Sequence, residues 1–379
     1  MSPRTADNLR TLPTRRRWSP GAAQFLHIEG PFPMRHGGSL ASVELAYETW
    51  GTLNEAGDNA LLLCTGLSPR AHARSSADDP SPGWWEAMIG PGLAIDTDRY
   101  FVICFNNLGG CFGSTGPAST DPETGAPYRL SFPVLTIEDI AQALRQGLEQ
   151  LGIHRLAALV GPSLGGMTAL AFAVSGVAVE RLVIISSAHR AEPFAIAIHS
   201  LQREAIRKDP TWKGGYYEDR APPALGMRLA RKIGMLSYRS SEEWQGRFGR
   251  ERSSGWGDEP FGLEFEVEGY LENHAARFVD AFDANCYLYL SRAMDLFDLA
   301  EHGGNLERAL ARITARRALV IGVTTDILFP AHQQRELAQG LRADGREVVY
   351  SELPSIQGHD AFLVDIDRFA PVIGEFLGR

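Results

Sequence analysis

The stretch LAALVGPSLGGMTALAFAV, residues 156–174, constrains the fold of this chain more than any other. Five apolar residues, 156–160, read as a buried strand, a serine flanked by glycines follows, and small apolar residues then recur at helical spacing. Gly161-Pro162-Ser163-Leu164-Gly165 fits G-x-S-x-G, the pattern of a sharp strand-to-helix turn that holds a serine hydroxyl out at the end of a sheet. Glycines are needed on both sides because neighbouring strands and the oncoming helix leave no space for a Cβ, and Gly166 extends the clearance. Ser163 then sits at the positive end of a helix, and the N–H of Leu164 is placed to donate to a developing oxyanion. The stretch predicts an α/β fold with Ser163 as a nucleophile.

The rest of the chain reads as strands and helices that could surround such a turn. Residues 1–25 form a polar extension with the run Arg15-Arg16-Arg17. Residues 42–50 alternate as a half-buried strand would, while ALLLC (60–64) and YFVICF (100–105) are continuous apolar runs, as in interior parallel strands. The long glycine- and proline-rich loop NNLGGCFGSTGPASTDPETGAPY is expected to line a site. Residues 137–151 have helical periodicity, and LVIIS (182–186) is the strand after the serine turn. From about 191 to about 300 the chain is helix-like and rich in charge and aromatics; strand–helix alternation resumes at ALVIGV (318–323) and EVVYS (347–351). The expected organisation is an extension over 1–25, an α/β core over 26–190 and 301–379, and a helical insertion over 191–300.

A serine hydroxyl needs a base, and on this architecture the partners follow in the order serine, acid, histidine. Asp326 comes after ALVIGV through the short turn Thr324-Thr325, which brings its carboxylate to the sheet edge of Ser163. His359, in SIQGHDAFL, lies just after the final strand, with Gly358 beside it. His359 would take the proton of Ser163, and Asp326 would fix its tautomer and stabilise the imidazolium. His36, His154, His302 and His332 fall in polar stretches; His72, His189, His199 and His274 lie near loops that could line a site, but none follows a terminal strand. A second oxyanion donor is expected from the loop after the early strand, where Leu67 in Thr65-Gly66-Leu67-Ser68 supplies the N–H. Together these residues define acyl transfer through an acyl-serine and leave open whether water, an alcohol or an amine receives the group.

Composition excludes several partners. A formal net charge of −9 over 379 residues, with no basic stripe, disfavours nucleic acid or an anionic membrane surface. No apolar segment approaches a membrane span, and no adequate apolar stretch follows the N-terminal arginines. Cys64, Cys104, Cys111 and Cys286 form no C-x-x-C pair and no metal-ligand spacing, so no metal is expected. A soluble cytoplasmic protein with reduced cysteines is the expectation.

The set YETWGTLN, PGWW, IGPG, DTDRYFVIC, LGGCFGSTGPAS, GPSLGGM, YLYLSRAMDLFD, TDILFP and GHDAFL, in order from about residue 31 to the C-terminus, closely resembles the homoserine and serine O-acyltransferases of the α/β-hydrolase superfamily. The loop Gly66-Leu67-Ser68-Pro69, together with SLQREAIRKDPTWKGGYY and PFGLEFEVEGYLENHA, resembles the serine O-succinyltransferase branch; homoserine acetyltransferases typically read ALTGSSHA at the loop. The resemblance implies an α/β-hydrolase fold with a helical lid, which also makes the contact of a homodimer, and a triad on Ser163, Asp326 and His359. It implies Arg231, in GMRLARKIGM, as the residue for the amino-acid carboxylate and Asp360 for its ammonium; a guanidinium suits the first and a carboxylate the second. Arg228, one turn away, is the rival. The loop residues 66–69 are implied in substrate specificity. Where the succinyl branch implies an arginine near the start of SLQREAI, this chain has His199, with Arg70, Arg74, Arg190 and Arg203 as possible substitutes.

The implied reaction moves a succinyl group from succinyl-CoA to the hydroxyl of L-serine through an ester on Ser163, for cysteine synthesis. Acyl-CoA is a co-substrate, and no cofactor is tightly bound. Homoserine O-acetyl- or O-succinyltransferase is the alternative, since serine and homoserine differ by one methylene, worth about 1–3 kcal/mol in a pocket. A plain esterase or thioesterase, and a non-catalytic scaffold, are more distant.

Overall fold

The computed structural model describes residues 24–218, 220–254, 260–343 and 345–378. Residues 1–23 of the expected extension lie outside the described residues.

Eight strands form one sheet: β1 (Gln24–Pro33), β2 (Ser39–Trp50), β3 (Ala60–Cys64), β4 (Phe101–Phe105), β5 (Arg155–Pro162), β6 (Ala178–Ile185), β7 (Arg317–Val323) and β8 (Glu347–Leu353). Their order is β1-β2-β4-β3-β5-β6-β7-β8. β1, β2 and β4 pair antiparallel; every pairing from β4 to β8 is parallel. The central strands are continuous apolar runs because both faces are covered. Leu61 and Leu63 of β3, with Val183 and Ile185 of β6, pack into one layer beside Phe369 and Phe376; Leu62, Leu182 and Ile184 pack into the other. β1 is a strand the sequence reading did not contain; it pairs with β2 and shifts register between Glu29 and Phe32, around Pro31.

The chain leaves β3 for β4 on one side and returns to place β5 on the other, so β3 and β5 flank the point where strand order reverses. In open parallel sheets a crevice opens beyond the carboxyl ends at that point. Helix α1 (Ile137–Gln150) leads into β5, and α2 (Leu164–Val174) starts at the residue after Ser163. Between β6 and β7 lie α3 (Pro193–Lys208), α4 (Ala224–Tyr238), α5 (Ser241–Phe248), α6 (Glu266–Ala281) and α7 (Ala284–Leu296). Their base is closed where the N–H of Leu299 donates to the His189 carbonyl at 2.9 Å. The long loop after β4 does not line the cleft described below: it buttresses β2, with Thr115 and Glu44 exchanging hydrogen bonds at 2.8 Å. α8 (Leu306–Leu310) precedes β7; α9 (Ala331–Arg342), α10 (Ala361–Val364) and α11 (Ile366–Gly378) complete the chain.

Candidate active site

The turn after β5 shows why this sequence is needed there. Ser163 has φ 55° and ψ −126°, a left-handed conformation held by its N–H to the Ile185 carbonyl at 2.9 Å and by the Ser187 hydroxyl to its own carbonyl at 2.6 Å. A Cβ on Gly161 would lie 2.2 Å from the Gly165 carbonyl oxygen, and one on Gly165 would lie 2.3 Å from that of Cys64. α2 is therefore pressed against β3 and β5. Leu164, its first residue, has an N–H without an intrahelical acceptor.

The two partners arrive from separate loops that are tied together. The Thr325 hydroxyl donates to the Ser355 carbonyl at 2.7 Å and accepts from the Gly358 N–H at 3.1 Å. Gly358 has φ +67°, and a Cβ there would stand 2.8 Å from the Tyr238 carbonyl oxygen, so glycine answers to a close approach as well as to its backbone angle. Asp326 Oδ1 accepts from the N–H groups of Leu328 and Phe329, each at 2.9 Å, which leaves Oδ2 to His359 Nδ1 at 2.7 Å. His359 Nε2 is 2.8 Å from Ser163 Oγ. The imidazole is 4% exposed, among the rings of Phe329, Phe362 and Tyr238. Burial opposes its charge, yet Asp326, by charge and hydrogen bond, and then Asp360 outweigh it and raise the His359 pKa above the ordinary histidine value.

A cleft opens over Ser163 and His359. Gly66, Leu67, Ser68 and Pro69 form one wall; His199, Tyr238 and Asp360 contribute to the others. Asp326 stands behind His359 and Leu164 is fully buried beneath Ser163. Burial raises the Asp360 pKa against the opposing charges of His359, Arg239 and Arg231. Arg231 is not brought to the cleft lining. Its guanidinium lies 4.7 Å from the ring of Phe278 and 6.0 Å from that of Tyr238, with a buried Nε that has no protein partner. Arg228 and Lys232 both pair with Glu272 instead. His199 Nδ1 is 2.7 Å from Asp295 Oδ1, and Arg203 reaches the other oxygen of that carboxylate at 2.7 Å. Arg74 donates to the main-chain carbonyls of Glu86 and Ile89, and Arg190 sits 3.9 Å from Asp298.

Two polar neighbours of the cleft gave no sequence expectation. Tyr238 lies seven residues beyond Arg231 on α4, a same-face spacing that could have found it. Arg239, 3.8 Å from Asp360, gave no periodic signal because it caps the helix. Among the described residues, no cluster of His, Cys, Asp and Glu could hold a metal ion, and no helix is long and apolar enough to cross a membrane. All four cysteines are free, with Cys64, Cys104 and Cys286 buried.

The arrangement can form and break an ester on Ser163, and comparison with known proteins bears on what it acts upon. Residues 59–365 match the family model of the alpha/beta hydrolase fold. The serine O-succinyltransferase of Litchfieldella anticariensis is 59% identical over 364 residues, covering 95% of this chain and 99% of that protein. That of Frateuria aurantia is 58% identical, over 94% of this chain and 98% of its own length. Among solved structures, a homoserine O-acetyltransferase from Bacillus anthracis superposes with a TM-score of 0.87 at 32% identity, over 94% of this chain and 98% of that one. Esterase E22 superposes with a TM-score of 0.85 at 31% identity, over 94% and 100%. The chain belongs to the serine and homoserine O-acyltransferase family of the alpha/beta hydrolase fold.

Proposed function

We propose that the chain transfers the succinyl group of succinyl-CoA to the hydroxyl of L-serine. The observation that carries this reading is the imidazole of His359 held between Asp326 and the hydroxyl of Ser163, in a chain 59% identical to a serine O-succinyltransferase. In the first half, Ser163 Oγ attacks the thioester carbonyl while its proton passes to His359 Nε2, and the C–S bond breaks with that proton going to the CoA sulfur. In the second, the serine hydroxyl gives its proton to His359 and attacks the ester, and Ser163 Oγ takes the proton back. The N–H groups of Leu67 and Leu164 hold the oxyanion of each tetrahedral intermediate. Asp360 receives the ammonium of the acceptor and Arg231, moving past Tyr238, its carboxylate. Asp295 occupies Nδ1 of His199 and leaves Nε2 for the free carboxylate of the succinyl group.

The helices α3–α7 act as the lid that excludes water from the ester. His274, whose pKa is held down by burial and by the charges of Arg277, Arg231, Arg247 and Arg239, lies in a basic surround; of these arginines, Arg277 and Arg247 stand apart from the acceptor's partners and suit the phosphates of an acyl-CoA. Leu225, Leu229 and Leu236 are exposed along α4 and Phe194 and Leu201 along α3, an apolar face that a second copy covers in a homodimer. A CoA thioester as donor places the enzyme in the cytoplasm, and the O-succinylserine it makes serves cysteine synthesis.

The test crosses succinyl-CoA and acetyl-CoA with serine and homoserine and follows thiol release. Release is expected to be fastest with succinyl-CoA and serine and to vanish in Ser163→Ala. Release with homoserine alone would remove the serine assignment, and activity surviving in Ser163→Ala would remove the mechanism.

A further inference from the structure

Five residues beyond Leu67 on the same loop, His72 is 1% exposed and takes part in none of the chemistry above. Its Nε2 lies 2.7 Å from the carbonyl oxygen of Ser81, and its Nδ1 lies 2.9 Å from Oε2 of Glu48, a residue of β2 that is 3% exposed. A carbonyl only accepts, so Nε2 carries a hydrogen. One further proton must then lie between Nδ1 and the carboxylate, as imidazolium with carboxylate or as neutral imidazole with carboxylic acid. Without it, two acceptors would face each other at 2.9 Å in a buried place. Two other charged groups face the pair: Asp79, with Oδ2 3.9 Å from Nδ1, and Arg70, whose charge acts on both carboxylates.

The rest of the loop is fixed through its main chain. The Gly66 carbonyl accepts from Asn107 Nδ2 at 3.1 Å, the Arg70 carbonyl accepts from Trp84 Nε1 at 2.9 Å, and the Ala71 N–H donates to Asn106. Leu67, Ser68 and Pro69 face Ser163 between these anchors, and His72 supplies the side-chain anchor on the far side. We propose that the buried Glu48–His72 pair is a proton-dependent clamp on the loop that presents the Leu67 N–H to the oxyanion, which makes both positioning residues. The role given to Leu67 rests on the acyl-transfer reading; the clamp itself rests on the hydrogen-bond count. Burial disfavours charge on His72, but the Ser81 carbonyl, Glu48 and Asp79 together raise its pKa above the ordinary value. The clamp is therefore closed below that raised pKa and opens as pH rises through it.

The test uses p-nitrophenyl acetate, whose nitrophenol burst reports acylation of Ser163 without CoA or an amino acid. His72→Ala is expected to slow the burst about 10- to 100-fold, part of the roughly 10²–10³ that a lost oxyanion donor costs, with KM changed less than about twofold. The wild-type burst should slow as pH rises through the His72 pKa. Glu48→Gln should abolish that alkaline fall, because its amide donates to Nδ1 of a neutral imidazole with no shared proton needed. An unchanged burst in folded His72→Ala, or a wild-type alkaline fall retained in Glu48→Gln, would overturn the clamp; if His72→Ala does not fold, the glutamine variant decides alone. The expected pH behaviour in a protein that releases no thiol from succinyl-CoA with serine would support the clamp and remove the proposed donor and acceptor.

Discussion

Replacing Asp326 by asparagine should disable the site while leaving its shape intact, and the structure says by how much. Oδ1 accepts from two main-chain N–H groups at 2.9 Å each, so an asparagine must keep its carbonyl oxygen there and turn its NH₂ toward His359 Nδ1. The imidazole then has to accept at Nδ1 and carry its hydrogen at Nε2, pointing at Ser163 Oγ, where it cannot act as a base. Rotating the amide to restore the useful tautomer would set NH₂ against two N–H donors, each costing about 1–3 kcal/mol when left unpaired. The sum, about 2–6 kcal/mol, is about 1.5 to 4.4 decades in rate at 1.36 kcal/mol per decade. Loss of the carboxylate charge that stabilises the imidazolium adds to this, so thiol release should fall about a thousandfold or more, with little change in the KM of either substrate. Stopped-flow thiol detection with a melting curve on the same sample makes the measurement. A loss below about tenfold in a folded variant would refute the tautomer reasoning.

The pH profile should show an acid limb. The base works only when neutral and its pKa is raised, so kcat is lost as pH falls through a value above the ordinary histidine 6.5, and the limb should move to lower pH in Asp326→Asn. Gly165→Ala would set a Cβ 2.3 Å from the Cys64 carbonyl oxygen, main chain against main chain; calorimetry should show a loss of about 2 kcal/mol or more, and an unchanged melting temperature would contradict the close approach. Arg231→Gln should raise the KM for the amino acid about 10- to 100-fold, as expected for a lost charge-assisted pair, whereas Arg228→Gln, which loses only Glu272, should leave it unaltered in steady-state kinetics.

What the sequence reveals here is set by how local each cause is. The strand, the glycine-flanked serine and the helix lie within 19 consecutive residues, so steric need is written in adjacent letters. Asp326 was legible because it follows the continuous apolar strand β7, and His359 because it follows the last strand, β8, on a parallel sheet where chain order maps onto place. β1 was harder: Gly30, Pro31 and Pro33 interrupt its alternation, and only its pairing with β2 makes it a strand. That Arg228 is taken up by an acidic partner could not be read from α4, because the partner, Glu272, lies far along the chain on α6. His72 looked like one of several loop histidines; its significance lies in Glu48 and Ser81, contributed by a strand and a second turn. The long loop after β4 misled because length suggests a lining role, while it braces β2 through Thr115 and holds the cleft wall from behind through Asn106 and Asn107.

All eleven residues of α2 are buried, so the helix has no wet face to yield along. On the proposed reaction, one of the two N–H groups that hold the anion is thereby cast with the interior and has no room to adapt to a different acceptor. Retuning between shorter and longer amino alcohols then falls, on that same reading, to the opposite wall, where Leu67, Ser68 and Pro69 are half-buried at the cleft. A search for altered selectivity would do well to vary that wall and leave the helix alone.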